Sequence, residues 1–247
     1  MNYIDIGLGR FYWGKCFDVM PTLPDGCVDM VLCDLPYGTT QNKWDSVLSL
    51  TDLWREYKRI CKGAVVLSAA QPFTSALVMS NIDSFKYQWV WEKSKPSGFL
   101  NARRRPLTSH EDINVFGCID LYNPQDLTIV SVNSARKNKS GNGNFGIVTD
   151  KPYIQTEGNF PRSVIKFQHE VKPIHPTQKP IALWEYLIKT YTNEDMLVLD
   201  NCAGSGTTAI ACENTNRRWI CIEKDETYAL AAVKRIQEHL KARPAKD

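Results

Sequence analysis

The chain has 247 residues, of which 43% are hydrophobic and 23% charged, and its formal net charge is +3. That balance excludes a disordered or fibrous chain and fits one α/β domain carrying an insertion. No apolar run approaches the roughly 18 to 20 residues of a bilayer-crossing helix, and Met1 to Arg10 lacks a basic segment followed by an apolar core, so a cytoplasmic protein is expected.

Val28 to Asp34 is a short apolar run ending in an acid, followed by the turn-forming Pro36, Tyr37 and Gly38, and it predicts a buried strand. Leu48, Leu53, Trp54, Tyr57, Ile60 and Cys61 recur at helical spacing, which predicts an amphipathic helix over 48–61 that Gly63 ends. Ala64 to Ala69 predicts a buried strand, Pro72 to Ser80 a helix, and Tyr87 to Trp91 and Ile113 to Phe116 two further strands. From Cys118 to Phe160 the composition turns to Asn, Ser, Gly, Lys and Asp without a sustained period, the mark of a functional insertion. Regular patterning then returns, with a helix over Ile181 to Thr190, a strand over Met196 to Asp200, a helix over Thr207 to Asn214, a strand over Trp219 to Glu223 and a closing helix over Glu226 to Ala242. The expected organisation is therefore 1–117 and 161–247 as two halves of one domain, with 118–160 inserted between them.

Eight cysteines, at 16, 27, 33, 61, 118, 202, 212 and 221, form no Cys-x-x-Cys pair and have no histidine at ligand spacing. Those inside apolar runs, such as Cys33 and Cys221, are read as reduced core residues, and no metal is expected.

The chemistry is densest at two places. The first is the turn of the last βαβ unit, Asp200-Asn201-Cys202-Ala203-Gly204-Ser205-Gly206-Thr207-Thr208, where glycines let the backbone come close to a ligand. Glu223 ends the next strand, 23 residues after Asp200, where a carboxylate can accept both hydroxyls of a ribose. Gly204-x-Gly206-x-x-Ala209 also satisfies the loose dinucleotide fingerprint, so a nicotinamide cofactor stays open. Against it, Asp200 suits a cationic sulfonium better than a pyrophosphate, and little chain follows to build a second nucleotide half.

The second place is Asp34-Leu35-Pro36-Tyr37, directly after an apolar strand. An aromatic amine has its lone pair conjugated into the ring and attacks poorly until its nitrogen is drawn toward tetrahedral geometry. Acceptors for its two protons can do this: the Asp34 carboxylate and a main-chain carbonyl, that of Leu35. Pro36 would fix the turn and Tyr37 offer a face for stacking. A base presented this way must first leave its duplex.

Taken together these residues resemble the β-class amino methyltransferases of DNA, in which the catalytic motif precedes the cofactor motif. The likeness spans nearly the whole chain: Gly14 to Phe17 with Leu23 to Asp29, then Asp34 to Tyr37, Arg105-Pro106-Leu107 with His110-Glu111 and Val115-Phe116, Pro161 to Val164, His175 to Pro180, and Asp200 to Thr208. The resemblance implies a Rossmann-like α/β sheet with helices on both faces, mixed through one antiparallel strand at its edge, plus a small irregular target-recognition insertion. It implies S-adenosyl-L-methionine as cofactor and double-stranded DNA as partner, and it allows a homodimer and a cognate restriction enzyme. Asp200, Gly204, Gly206, Thr207 and Thr208, with Cys202 and Ser205 among them, would hold the methionine half of the cofactor. Glu223 would hold the ribose, Lys179 and Pro180 would line the same pocket, and Cys16 and Phe17 would border the adenine. An Asp at the first catalytic position usually accompanies adenine N6 methylation in this family, whereas Ser accompanies cytosine N4. Adenine N6 is the expected target, with cytosine N4 and an inactive DNA-binding homologue as alternatives.

Three departures stand out: Leu35 where the family commonly has Pro, Lys15 in place of a usual acid, and Asn201-Cys202 in place of a more usual Pro-Phe pair. For contact with DNA, Arg136, Lys137 and Lys139 suit phosphates, Asn133, Asn138, Asn142 and Gln155 could reach base edges, and Arg103, Arg104 and Arg105 could grip the backbone near the extruded base. His175 is read as a capping or orienting residue rather than a base.

Overall fold

The computed structural model describes residues 2–38, 48–130, 156–170 and 178–243. The chain divides into two compact units, one made of Met1–Asn123 with Ser163–Asp247 and the other of Pro124–Arg162.

In chain order the larger unit contains β1 (Asn2–Ile6), β2 (Gly9–Trp13), α1 (Cys16–Val19), β3 (Val28–Asp34), α2 (Leu50–Ile60), β4 (Cys61–Ala69), α3 (Phe73–Met79), β5 (Phe85–Ser97) and β6 (Thr108–Gly117). The smaller unit supplies β7 (Thr128–Ile129) and β8 (Glu157–Gly158), which pair antiparallel. The larger unit resumes with β9 (Val164–Phe167), α4 (Ile181–Tyr191), β10 (Leu197–Asp200), α5 (Thr207–Asn214), β11 (Arg218–Glu223) and α6 (Glu226–Ala242).

Nine strands form one sheet in the order β1-β2-β11-β10-β3-β4-β6-β5-β9. Five consecutive strands, β2 to β4 in that order, are mutually parallel, and the inner four, β11, β10, β3 and β4, are largely buried, which is why their sequences read as apolar runs. Along β3 the side chains alternate between two cores: Met30 and Leu32 face one, Val31 and Cys33 the other. The first core is closed by α4, α5 and α6 through residues such as Trp184, Leu187, Ile210 and Ile236. The second is closed by α1, α2 and α3 through Val19, Leu53, Tyr57 and Phe73. Helices therefore cover both faces, as expected.

Three details differ from the sequence reading. Two strands run against the rest rather than one, β1 at an edge and β6 inside the sheet. The cause is the β5–β6 hairpin, whose second strand returns beside β4 while β9 adds parallel to β5 and takes the edge. Gly63 does not end α2, since β4 begins at Cys61 immediately after the helix. Gly63 sits where β3 and β4 shift register, and a Cβ there would come within 2.0 Å of the Asp29 carbonyl oxygen. Lastly, the hairpin of β1 and β2 had no predicted counterpart. It turns at Gly7 (φ 54°) and is pinned by the buried Glu213 carboxylate, which accepts from the Leu8 amide at 2.6 Å and the Trp219 indole at 2.9 Å.

Candidate functional site

In an open, mainly parallel sheet, ligands gather at the carboxyl ends of strands where the strand order reverses. Here that seam lies between β10 and β3, adjacent parallel strands reached from opposite ends of the chain. β3 ends at Asp34 and β10 at Asp200. A cavity of about 550 Å³ opens above them, lined by Asp34, Leu35, Pro36 and Tyr37 on one side and by Asp200 to Ser205, Thr207 and Thr208 on the other. Gly14 to Phe17 reach it because β2 pairs in parallel with β11, so that the Gly14 amide donates to the Glu223 carbonyl at 2.9 Å.

On the β10 side the acid faces inward. Asp200 is buried, accepts from the Cys202 amide at 3.0 Å through Oδ1 and from the Thr208 hydroxyl through Oδ2, and so holds the loop to the first turn of α5. Thr208 in turn accepts from the Trp184 indole at 2.9 Å. Burial pushes the Asp200 carboxyl up to about 6, against the pull of these donors. Glu223 is likewise raised by burial; its Oε2 accepts from the Gly204 amide at 2.9 Å and its Oε1 from the Asp225 amide at 2.9 Å. The two loop glycines do different things. At Gly204 (φ 48°) a Cβ would meet nothing within 4 Å, so the backbone borders open space. Gly206 (φ 73°) packs against Ala232 and Ile236 of α6 and does not line the cavity.

The β3 side is ionic. Asp34 Oδ1 accepts from the Tyr37 hydroxyl at 2.7 Å and from Ser68, and its Oδ2 pairs with Lys179 Nζ at 2.5 Å. Ser68 is there because it lies opposite Asp34 in the β3–β4 register. Lys179 also reaches Glu111 Oε2 at 3.2 Å, and Lys93 reaches Glu111 Oε1 at 3.3 Å, giving a chain of four alternating charges. Burial works against the Lys179 ammonium, yet Asp34 and Glu111 together hold it above the ordinary lysine value. Tyr37 is braced by Phe73, with ring centroids 5.5 Å apart and planes 28° from parallel. Burial, with Asp34 and Glu111 nearby, keeps its phenol protonated far above the usual range. The Leu35 side chain is in the core, so only its backbone can serve a ligand.

Most of the sequence-predicted site residues thus border one cavity; Gly206 and Pro180 do not, and Pro180 instead precedes the first turn of α4 as a buried residue. Arg103, Arg104 and Arg105 are exposed on the β5–β6 connection, apart from the cavity lining. Arg136, Lys137, Lys139, Asn133, Asn138, Asn142, Gln155 and His175 lie outside the described residues. The sequence reading missed Ser68, Lys93, Glu111, Trp91 and His169. Ser68 depended on strand register, which a sequence does not print. Glu111 fell in a stretch singled out for its resemblance but given no role. His169 stands 5.1 Å from Trp91, ring to ring, bonds Ser94 at 2.8 Å, and is held below the usual histidine value by burial and by Lys93.

The unusual Asn201-Cys202 pair has a local partner. Asn201 is buried and its Oδ1 accepts from the Tyr57 hydroxyl of α2 at 2.5 Å, so this polar residue under the loop is satisfied from the opposite layer. Burial lifts the nearby Cys16 thiol to about 12 and the Cys33 thiol well above its ordinary value, so both are neutral thiols.

A family model described as DNA methylase, of the N6/N4 type, matches residues 28–234. The type II methyltransferase M.HinfI of Haemophilus influenzae is 26% identical over 260 residues, covering 91% of this chain and 67% of that protein. The crystal structure of the M1.HpyAVI–SAM complex aligns with a TM-score of 0.60 at 23% identity, covering 92% of this chain and 99% of the other. The PvuII DNA methyltransferase, which is cytosine-N4-specific, aligns with a TM-score of 0.63 at 15% identity over 97% and 95%. At these identities the two structures speak for the fold alone.

Proposed function

The chain belongs to the DNA methylase family of the N6-adenine and N4-cytosine type, and from that premise we propose that it transfers a methyl group from S-adenosylmethionine to adenine N6 at specific sites in double-stranded DNA. One observation carries the reading: the Asp34 corner and the Gly204 loop open into a single cavity from the ends of adjacent strands.

The cavity fits such a cofactor. Its volume suits a nucleoside-sized ligand together with a base, and the backbone at Gly204 meets open space where any side chain would intrude. Glu223 accepts backbone amides through both oxygens, and a carboxylate has about four lone-pair sites, so capacity remains for ribose hydroxyls. S-adenosylmethionine supplies an electrophilic methyl on a sulfonium. The chain supplies position. Asp34 Oδ2 accepts from Lys179 alone among the described residues, and so has capacity for one proton of the target amine. The Leu35 carbonyl takes the other proton, since the Leu35 side chain is spoken for by the core. Tyr37, with Phe73 behind it, offers a stiff aromatic surface to an extruded base. Catalysis of this kind is orientation and fixed electrostatics, with no covalent enzyme intermediate. Asp34 at the head of the tetrapeptide favours adenine over cytosine.

The test is incubation with methyl-labelled S-adenosylmethionine and mixed-sequence duplex DNA, followed by hydrolysis to nucleosides. Label in N6-methyldeoxyadenosine is expected. Label in N4-methyldeoxycytidine would overturn the base assignment, and absence of label from DNA would overturn the activity.

A further inference from the structure

We propose that the tip of the β5–β6 hairpin is a wedge: Phe99 and Leu100 enter the base stack at the gap left by the extruded nucleotide while Arg103 to Arg105 hold the flanking phosphates. The inference rests on the methyltransferase reading and adds the device that opens the duplex.

Phe99 is 65% exposed and Leu100 is 102% exposed, the full exposure of an isolated side chain. Scattered surface apolar residues need no explanation, but two bulky ones side by side at a protruding turn forgo burial that most folds would exploit. Immediately after them come three exposed arginines, and among the described residues no acid forms an ion pair with any of them. An apolar pair flanked by uncompensated guanidiniums matches one partner chemistry above others, stacked bases bordered by phosphates.

The tip is built rather than loose. Gly98 takes the left-handed conformation (φ 92°) and starts a 3-10 turn over Phe99–Asn101. The Asn101 carbonyl then accepts from the amides of Arg104 at 2.8 Å and Arg105 at 3.0 Å. A hydrogen-bonded turn has less backbone freedom to lose on insertion. Its location is also apt. Lys93, Lys95 and Ser97 all line the cavity, and Ser97, paired with Thr108, is the last residue of β5. The wedge begins two residues beyond Ser97, at the rim of the space that would receive the base.

The experiment uses two short duplexes carrying the site mapped by modified-base sequencing, one fully paired and one with an abasic position opposite the target, where little extrusion cost remains. On paired DNA the Phe99→Ala/Leu100→Ala variant is expected to lose about 10- to 100-fold in methylation rate, or about 1.4–2.7 kcal/mol. On the abasic duplex it should stay within about threefold of wild type, with S-adenosylhomocysteine affinity unchanged. Wild-type rate on the paired duplex, or an equal loss on both, overturns the wedge while leaving the activity standing. A wild-type enzyme that marks neither DNA overturns both proposals.

Discussion

Two aspartates end adjacent parallel strands, Asp34 reaching two residues further along the register than Asp200, and the structure treats them in opposite ways. Asp34 keeps part of its side chain open to the cavity and shares a bond with an ammonium, itself tied to a second acid and a second lysine. Asp200 is buried with a hydroxyl and an amide for partners, no ion pair to it among the described residues, and a carboxyl raised to about 6. Residue type and strand position are shared, so neither decides the role. The partner does. An acid matched by a lysine stays available as a charged acceptor, whereas one matched by neutral donors becomes a clasp for the loop around it.

The sharpest way to break this contrast is Lys179→Met. The change strands Asp34 and Glu111 without their shared cation, and removing one partner of a buried pair costs about 3–5 kcal/mol. Urea denaturation should show that loss, and a Lys179→Met/Asp34→Asn double variant should recover part of it. Additive losses would mean that the pair is not coupled. Next comes Asp34→Asn, expected to lower methyl transfer about 10²- to 10³-fold, the usual scale for one fixed electrostatic contact. S-adenosylhomocysteine binding, followed by calorimetry, should be untouched, because the cofactor loop hangs on the other acid.

Asp200→Asn tests the clasp. Because burial raises this carboxyl from 3.8 to about 6, the folded chain holds its proton more tightly than the unfolded one. The stabilisation from this proton is complete below about pH 4 and disappears as pH rises through about 6, an effect of about 3 kcal/mol. Wild type should lose that much relative to Asp200→Asn across this interval in denaturation at stepped pH. Parallel curves for the two proteins would show that Asp200 ionises freely in the fold.

Much of this architecture could be read from residue order. β3, α5 and α6 fall at their predicted limits because their apolar spacing is long or their ends are marked, Asp225 capping α6 through the amides of Thr227 and Tyr228. Asp34, Glu223 and the glycine turn stood out because strand ends followed by turns are where side chains escape the core. What stayed hidden depends on pairing. The β1–β2 hairpin is short and half exposed, so its pattern is weak, and it makes sense only once β11 lies beside it. The charge chain from Lys93 through Glu111 to Lys179 joins residues 18 and 68 positions apart, from β5, β6 and the approach to α4, and no local period announces it. Gly206 stood out with Gly204 as part of the turn after β10, and the side chains of α6 beneath it give a packing reason for its small size that the sequence does not show.

The smallest predicted effect makes the same deletion on each side of the seam. Ser68→Ala removes one hydroxyl donor from Asp34, and Thr208→Val removes one from Asp200. A hydrogen bond to a charged group contributes about 1.5–3 kcal/mol and a neutral one about 1, so each change should move its readout about tenfold. If the two acids have the roles assigned by their partners, the readouts separate. Ser68→Ala should slow the transfer step and leave the KM for S-adenosylmethionine in place, because Tyr37 and Lys179 still hold Asp34 but less firmly. Thr208→Val should weaken cofactor affinity and, since the Thr208 donor opposes the rise of the Asp200 carboxyl, shift the pH-dependent loss of stability to higher pH. Steady-state kinetics with denaturation at several pH values would read both. If the two variants gave the same pattern of loss, the division of labour between β3 and β10 would have to be given up, because each deletion takes a hydroxyl donor from a different aspartate, together with one further contact apiece, Ser68 with the Tyr37 hydroxyl and Thr208 with the Trp184 indole.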